Sequence, residues 1–347
     1  MAGEPAAGGV EGQRSRGGRP SVDGQGERVE ARCGRSRRSQ PEERRPLAVD
    51  LQKVADKMYL PQAMRKSAPK QMSGGKQPDR PRGRPRRTLA GFVDALQASG
   101  SYVFDRRQVG TTLGLTGPAL KRAVARLKAR GRLCVPRRGF YVIVPLEYRV
   151  AGAPPPTWFI DSLMRHIGRP YYVGVLSAAA IHGAAHQQPQ EFQIVSDRPE
   201  RLLRAGRARI RFLIKSRLDA STVIDMKTDT GTMRVATPET TAFDLLRYGH
   251  AAGGLANIAT VLAELAERMD PRRLVTAAEV DGELARAQRL GHLLDRVGAR
   301  SLADRLAAWV ARRRPRTVLL RPGRPSSDAS FDSRWQVVVN ERVEAET

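Results

Sequence analysis

Apolar positions repeat at helical spacing in three short segments between residues 88 and 131. The second segment follows Asp105 and the third follows Thr116, and both residue types commonly occupy the N-cap of a helix. Pro118 lies in the first turn of the third segment and Gly131 lies just past its end, as expected for a helix that stops there. The pattern predicts three consecutive short helices.

A β-hairpin is predicted immediately after the third helix. The runs LCV and FYVIV are rich in β-forming residues, and the turn PRRG between them contains a glycine. Three helices followed by a hairpin within about sixty residues are typical of a winged helix-turn-helix, whose third helix enters the major groove of DNA. The sequence therefore predicts a DNA-binding domain over residues 87–150.

The third predicted helix separates apolar from basic residues. Leu120 and Leu127 share one face at 100° per residue, whereas the lysines and arginines fall on or beside the opposite face. Such cations can neutralise phosphates and reach guanine edges, and arginines of the wing can reach the backbone or the minor groove. The alternative is a solvated basic helix beside an unrelated hairpin. The predicted DNA-binding residues are Thr116, Lys121, Arg122, Arg126, Lys128, Arg137 and Arg138.

The distribution of charge favours double-stranded DNA as a partner. The chain has 347 residues and a formal net charge of +26. Residues 89–150 contain 11 Lys and Arg against 3 Asp and Glu, so the positive charge is densest in the predicted DNA-binding domain. A charge that served solubility alone would be spread more evenly.

Residues 1–86 are predicted to be a disordered basic tail, because they contain few aromatic residues and little apolar periodicity. An Arg-Gly-Arg-Pro string at its end is narrow enough, when extended, to lie in an A·T-rich minor groove. Arg82 and Arg84 would be its DNA-binding residues. A plain basic linker is the other interpretation of this segment.

A proline-rich segment, VPLEYRVAGAPPPT, marks a predicted domain boundary near residue 150. Consecutive prolines stiffen a chain into an extended spacer, so we expect few contacts across the boundary. Residues 151–347 mix helical and strand-like patterns, with a helical portion at about 254–314. The predicted fold class is α+β: a winged helix-turn-helix followed by a mixed α/β domain with a C-terminal helical portion.

Composition excludes several other classes of protein. The only two cysteines, Cys33 and Cys134, are too few for a disulfide framework or a cysteine-based zinc site. No apolar run of about 18 residues predicts a membrane span, and the N-terminus lacks the apolar segment of a secretory signal. We therefore expect a cytoplasmic protein with no cofactor, no metal and no membrane contact.

Three segments resemble the AbiEi antitoxins of abortive-infection, type IV toxin–antitoxin systems. Residues 169–190, RPYYVGVLSAAAIHGAAHQQPQ, are similar to the signature segment of that family, and TPETTAFDLLRY (Thr237 to Tyr248) and RWQVVVN (Arg334 to Asn340) are similar to later ones. The signature residues singled out are Tyr171, Tyr172, Ser177, His182, Gly183, His186 and Gln187.

The resemblance covers about residues 88–340. It implies a non-enzymatic, DNA-binding repressor of its own operon that serves antiviral defence. It also implies a functional partner, a nucleotidyltransferase-like toxin that the protein counters. Self-association on the operator DNA is a further expectation, since winged-helix proteins often bind paired half-sites.

Two metal-binding interpretations compete with this one. His182 and His186 are four residues apart and would share a helix face, but no third ligand is evident, so structural histidines are favoured. Asp225-Met-Lys227 resembles the Asp-x-Lys string of metal-dependent nucleases, with Asp197 or Asp219 as the companion acid. The alternative function is therefore a DNA-directed, metal-dependent nuclease with a winged-helix targeting domain. By contrast, Asp244 is expected to serve hydrogen bonding at a helix terminus or in the core.

Overall fold

The computed structural model describes residues 88–184, 189–327 and 329–343. The predicted tail with Arg82 and Arg84, and the signature residues His186 and Gln187, lie outside these ranges. Within the described ranges, no helix is both long enough and apolar enough to cross a membrane.

The first part of the described chain forms three helices and a three-stranded sheet. Its elements are α1 (Leu89–Ala98), β1 (Val103–Asp105), α2 (Arg106–Leu113), α3 (Gly117–Ala129), β2 (Leu133–Arg137) and β3 (Phe140–Ile143). Strand β3 lies between β1 and β2 and pairs antiparallel with both. The three predicted helices and the predicted hairpin are confirmed as elements.

Local capping explains where α1 and α2 begin. Thr88 accepts a hydrogen bond from a backbone N–H of the first turn of α1, and Asp105 forms a reciprocal capping box with Gln108 in α2. Thr116 occupies the predicted N-cap of α3, but its side chain makes no capping hydrogen bond. The apolar face of α3 is buried as predicted, through Leu120, Ala123, Val124 and Leu127.

A six-stranded mixed sheet forms the centre of the second part. Its elements are α4 (Ile160–Ile167), β4 (Tyr171–Val173), α5 (Val175–Ile181), β5 (Phe192–Ser196), β6 (Leu203–Ala205), β7 (Ala208–Ile214), β8 (Val223–Thr228) and β9 (Gly231–Ala236). The strand order is β6-β7-β5-β4-β9-β8. The pairs β5/β7 and β4/β9 are parallel and the other pairs are antiparallel, so the fold class is α+β, as predicted.

Five helices follow the sheet, and a small sheet closes the described chain. The helices are α6 (Pro238–Arg247), α7 (Gly254–Leu265), α8 (Pro271–Asp281), α9 (Leu284–Arg296) and α10 (Arg300–Ala311). Strands β10 (Val318–Leu319), β11 (Ser330–Asp332) and β12 (Val337–Val339) form the small sheet, with β12 in the middle. The predicted helical portion at about 254–314 corresponds to α7 through α10.

The side chain of Trp335 packs the small sheet against α9. Its ring is fully buried, and its indole N–H donates to Asp295 Oδ2 at 2.6 Å. A Cβ at Gly291 would lie 2.1 Å from the ring, so only glycine at this position of α9 allows the indole to pack against the helix backbone.

Trp158 joins three regions of the structure. It ends a 3₁₀ helix (Pro156–Trp158), and its ring lies 4.8 Å from that of Tyr102, between α1 and β1. Its indole N–H donates to Asp229 Oδ2 at 2.7 Å, and its carbonyl accepts from Thr230 Oγ1 at 2.6 Å, both in the β8–β9 turn. The side chain or backbone of Trp158, at the end of the proline-rich segment, therefore contacts both the first part of the chain and the β8–β9 turn.

The expectation of few contacts across the proline-rich segment is wrong. Prolines 154 to 156 are buried, and Phe140 and Val142 of β3 belong to the same hydrophobic core as the six-stranded sheet. The guanidinium of Arg137 pairs with Glu200 at 3.0 Å. The segment is therefore packed between the two parts, because apolar side chains of β3 complete the larger core. The domain limits 87–150 and 151–347 stay a prediction.

Candidate functional site

The basic face of α3 is exposed, and its cations have no ion-pair partner among the described residues. Lys121, Arg122, Arg126 and Lys128 are all exposed, opposite the buried apolar face of the same helix. None of the four forms an ion pair with another residue in the described ranges. Ala125, also exposed, leaves room for close approach of a surface between the longer side chains. The face therefore offers four cations that no carboxylate of the described residues neutralises.

A cleft of about 1320 Å³ adjoins this face. It lies where the starts of α2 and α3, the hairpin turn and the end of α4 meet. The cleft is lined by the cationic side chains Arg106, Arg107, Lys121, Arg138 and Arg165, together with His166. A cleft lined by these cations attracts anions.

Sequence reasoning missed three of these cations. Arg106 and Arg107 directly follow the N-cap Asp105, so their place at the start of α2 was available from the helix signal. Arg165 lies in α4, which follows the proline-rich segment, and no local sequence pattern predicts that it lies near the hairpin. The imidazole of His166 donates to the carbonyl of Arg138 at 3.3 Å, which holds α4 against the hairpin turn.

The two arginines of the β2–β3 hairpin have different surroundings. Arg138 lies in the turn of the hairpin and is exposed, as expected for a residue that contacts a ligand. Arg137, at the end of β2, is held by the Glu200 carboxylate, which is largely buried. Among the described residues, Arg138 therefore has no ion-pair partner, whereas Arg137 is paired with the second part of the chain.

The signature residues within the described ranges serve the packing of the sheet. Ser177, fully buried in α5, accepts a hydrogen bond from the backbone of Gln193 at 2.9 Å. His182 donates from Nε2 to the carbonyl of Ala236 at 2.7 Å, and burial lowers the pKa of its imidazole. Gly183 has φ of 84°, the left-handed conformation that ends the helix. Tyr171 donates to Asp161 at 3.1 Å.

A buried ionic cluster lies at the centre of the second part. Asp244 is fully buried in α6, and Lys215, just after β7, is 5% exposed. The ammonium of Lys215 donates to Asp244 Oδ1 at 3.0 Å and to the hydroxyl of Tyr172 at 3.1 Å. That hydroxyl donates to Asp244 Oδ2 at 2.8 Å, so each member contacts both of the others. Tyr172 is a signature residue, and Lys215 is one that sequence reasoning missed.

Burial and ion pairing have opposite effects on the pKa of Asp244 in this cluster. Burial raises the pKa of the Asp244 carboxyl, whereas Lys215 and Tyr172 stabilise its ionised form and lower the pKa. Burial also raises the pKa of the Tyr172 hydroxyl, which therefore stays protonated and acts as a donor. The prediction that Asp244 serves core hydrogen bonding is confirmed. A closed triangle of this kind fixes β4, β7 and α6 relative to one another.

The structure does not bring together the residues of a nuclease site. Asp225 and Lys227 are exposed on β8 at the edge of the sheet, whereas Asp197 follows β5 and is separated from β8 by β4 and β9. Asp219 is exposed in the loop that precedes β8. In the described ranges, no group of three or more His, Cys, Asp or Glu side chains could hold a metal ion.

Comparison with protein families concerns this second part. Residues 172–296 match the model of a family described as the AbiEi antitoxin C-terminal domain. The region belongs to the AbiEi antitoxin family. The AbiEi domain runs from β4 through α9 and contains the whole cluster of Tyr172, Lys215 and Asp244. The resemblance noted in the sequence is thereby confirmed for this region.

Comparison with solved structures concerns a larger share of the chain. The crystal structure of the RV2827C protein from Mycobacterium tuberculosis superposes with a TM-score of 0.54 and 18% sequence identity. The match covers 71% of this chain and 89% of that one. At this identity the likeness shows a common fold and nothing about activity. No curated protein matches the chain.

Proposed function

We propose that the chain is the antitoxin of a type IV toxin–antitoxin system and represses its own operon by binding DNA. The AbiEi domain over residues 172–296 supports the antitoxin role and implies a cognate toxin. We infer that the toxin is nucleotidyltransferase-like, as in the family that the signature segment resembles. The protein acts without catalysis, in the cytoplasm where its operator lies.

DNA binding is assigned to a winged helix-turn-helix formed by α1, α2, α3 and the β2–β3 hairpin. The observation that carries this assignment is the unpaired basic face of α3 beside a cationic cleft. In the proposed complex α3 lies in the major groove, where Arg122 and Arg126 reach base edges. Arg138 and the cleft cations Arg106 and Arg165 follow the phosphate backbone.

The decisive experiment is a gel-shift titration on DNA from upstream of the chain's own gene. Replacing Lys121, Arg122 and Arg126 together by alanine should abolish specific binding, because it removes the cations proposed to contact DNA. The fold should be kept, because these side chains lie off the apolar face. The slope of log affinity against log salt should fall by about 0.9 for each removed side chain that binds a phosphate. Circular dichroism would verify that the variant is folded.

A matched control removes the same charge from a different helix. Arg300, Arg305 and Arg312 are exposed on or beside α10, and none forms an ion pair with another described residue. Their replacement by alanine should leave operator affinity within about threefold of the unmodified chain, since only distant, screened charges are removed. If both triple variants lose affinity equally, net charge and not α3 governs binding. If the α3 variant still binds tightly, the assignment is wrong.

The antitoxin role has its own test, which is co-expression with the toxin encoded beside the gene. The α3 triple variant should still rescue growth, because the AbiEi domain is untouched, while repression of an operon reporter is abolished. Failure of the unmodified chain to rescue growth would contradict the antitoxin proposal. Failure of the α3 variant alone would place toxin neutralisation on the DNA-binding surface.

A further inference from the structure

Within the described ranges, strand β8 leaves one edge of the six-stranded sheet open. Among the described residues it pairs only with β9, whereas β6 at the opposite edge lies beside Cys134 of β2, whose thiol meets the backbone of Gly206. An open edge presents unpaired N–H and C=O groups that can pair with another strand. The β8–β9 turn is held by Trp158 through Asp229 and Thr230, so this edge is fixed in position.

The hydrogen bonding of β8 to β9 determines which groups point outward. The N–H of Thr237 donates to the carbonyl of Thr222 at 3.2 Å, and the ladder pairs Val223 with Ala236. In an antiparallel ladder, hydrogen-bonded pairs alternate with non-bonded pairs. The even-numbered residues of β8 therefore bond to β9, and the N–H and C=O groups of residues 223, 225 and 227 point outward.

The outward residues carry opposite charges. Asp225 and Lys227 are exposed, and neither forms an ion pair with another described residue. If a second copy approaches antiparallel with its two-fold axis at Met226, Asp225 lies opposite Lys227 of the copy, and the reverse pair forms as well. A register shifted by two residues in one direction places Asp225 opposite itself. A shift in the other direction places Lys227 opposite itself. Opposite charges stabilise a cross-strand pair and like charges destabilise it.

We propose that β8 is a dimerisation strand that pairs antiparallel with β8 of a second copy in the register centred on Met226. The pairing joins two six-stranded sheets into one and places both charge pairs on the same face. The buried face of the strand agrees with this arrangement. Ile224, beside the buried Val235, is 40% exposed although it points to the core side of the sheet, and the copy's Met226 would cover it diagonally. This inference goes beyond DNA binding and does not depend on it.

Disulfide trapping tests the register directly, without DNA. In this pairing the two Met226 residues form a non-hydrogen-bonded pair, whose Cα atoms lie about 4.5 Å apart, within the range of about 4.4–6.8 Å that a disulfide needs. Met226→Cys, in full-length chain with Cys33 and Cys134 replaced by serine, should give a covalent dimer on mild oxidation. The measurement is non-reducing gel electrophoresis.

Ile224→Cys in the same background is the matched control. It lies on the same face and is the more exposed of the two positions, so random collisions would cross-link it at least as well. In the proposed register the two copies of residue 224 are four residues apart along the strands, about 13 Å, which is too far for a disulfide. A dimer from Met226→Cys that exceeds the control several-fold supports the proposal. Equal yields, or no dimer from Met226→Cys, overturn it.

Charge exchange supplies a second, independent readout. Asp225→Lys places lysine opposite lysine twice and should weaken dimerisation about tenfold or more in analytical ultracentrifugation. Adding Lys227→Asp to that variant exchanges the two charges and should restore it. The two substitutions are exposed, so folding is retained. If the double variant dimerises as poorly as the single one, or if the single change has no effect, the register is wrong.

Discussion

The buried triangle of Lys215, Asp244 and Tyr172 gives the sharpest stability prediction. Asp244→Leu removes the carboxylate but leaves the ammonium of Lys215 in a site that is 5% exposed. Removing one partner of a buried ion pair costs about 3–5 kcal/mol, because the remaining charge is uncompensated. For a unit of 150–250 residues, one kcal/mol lowers the melting temperature by about 2–4 °C, so we expect a loss of about 6–20 °C.

Two companion variants test whether the triangle acts as one unit. Lys215→Met should cost a similar amount, because the Asp244 carboxyl is then buried without its cation. The double variant Asp244→Leu/Lys215→Met leaves no unpaired charge, and such replacements are often neutral or stabilising by about 1–4 kcal/mol. Tyr172→Phe removes only a hydroxyl hydrogen-bonded to charged groups and should cost about 1.5–3 kcal/mol.

The assay is thermal and urea unfolding of all four variants, followed by circular dichroism. The expected signature is strong non-additivity, with the double variant far more stable than the sum of the two single losses predicts. Additive losses would mean that Lys215 and Asp244 do not compensate each other's charge. Single variants as stable as the unmodified chain would mean that water reaches the cluster, and either result would refute the reasoning.

Three further predictions follow from packing and burial. Gly291→Ala forces a methyl group into the ring of Trp335 and should cost at least about 1–3 kcal/mol in thermal unfolding; a neutral result would mean that the indole can move away. Burial lowers the pKa of His182, so as the pH falls its imidazole is protonated in the unfolded chain before it is protonated in the folded chain. The stability contributed by the neutral imidazole of His182 is therefore full above about pH 6.5 and declines as the pH falls. His182→Gln should flatten that decline in urea unfolding between pH 5 and 8, and an unchanged decline would contradict it. A fragment of residues 88–150 exposes Phe140, which belongs to the larger core, and should aggregate or unfold more readily than the full chain, as light scattering would show; a monodisperse, stable fragment would contradict this.

The helices of the first part were predictable because their signals are local. Asp105 with Gln108 forms a capping box that spans four residues, and Leu120 to Leu127 defines an apolar face within about two turns. The periodicity of these residues alone positions the basic face of α3. The same kind of signal predicted the helical portion at about 254–314, but not the separate helix α8 within it.

The ionic cluster and the cleft were not predictable in this way. Lys215 and Asp244 are 29 residues apart, so only the tertiary packing of α6 near the end of β7 brings their side chains together. Arg165 reaches the cleft only because α4 packs on the hairpin turn through His166. The prediction of few contacts across the proline-rich segment was wrong for the same reason. Three prolines favour an extended spacer, but tertiary packing buries them.

The anchoring of Trp158 has a consequence for operator architecture. One indole contacts Tyr102 beside α1 and is hydrogen-bonded to the turn at the end of β8, so it couples the proposed DNA-binding unit to the proposed dimerisation strand. If both proposals hold, two copies joined at β8 would present their α3 helices at one fixed separation and one fixed phase around the double helix. Binding on both half-sites requires them to be spaced by whole helical turns of about 10–10.5 base pairs. An insertion of five base pairs between the half-sites would place the second one on the opposite side of the DNA, where a rigid pair of proteins cannot reach it.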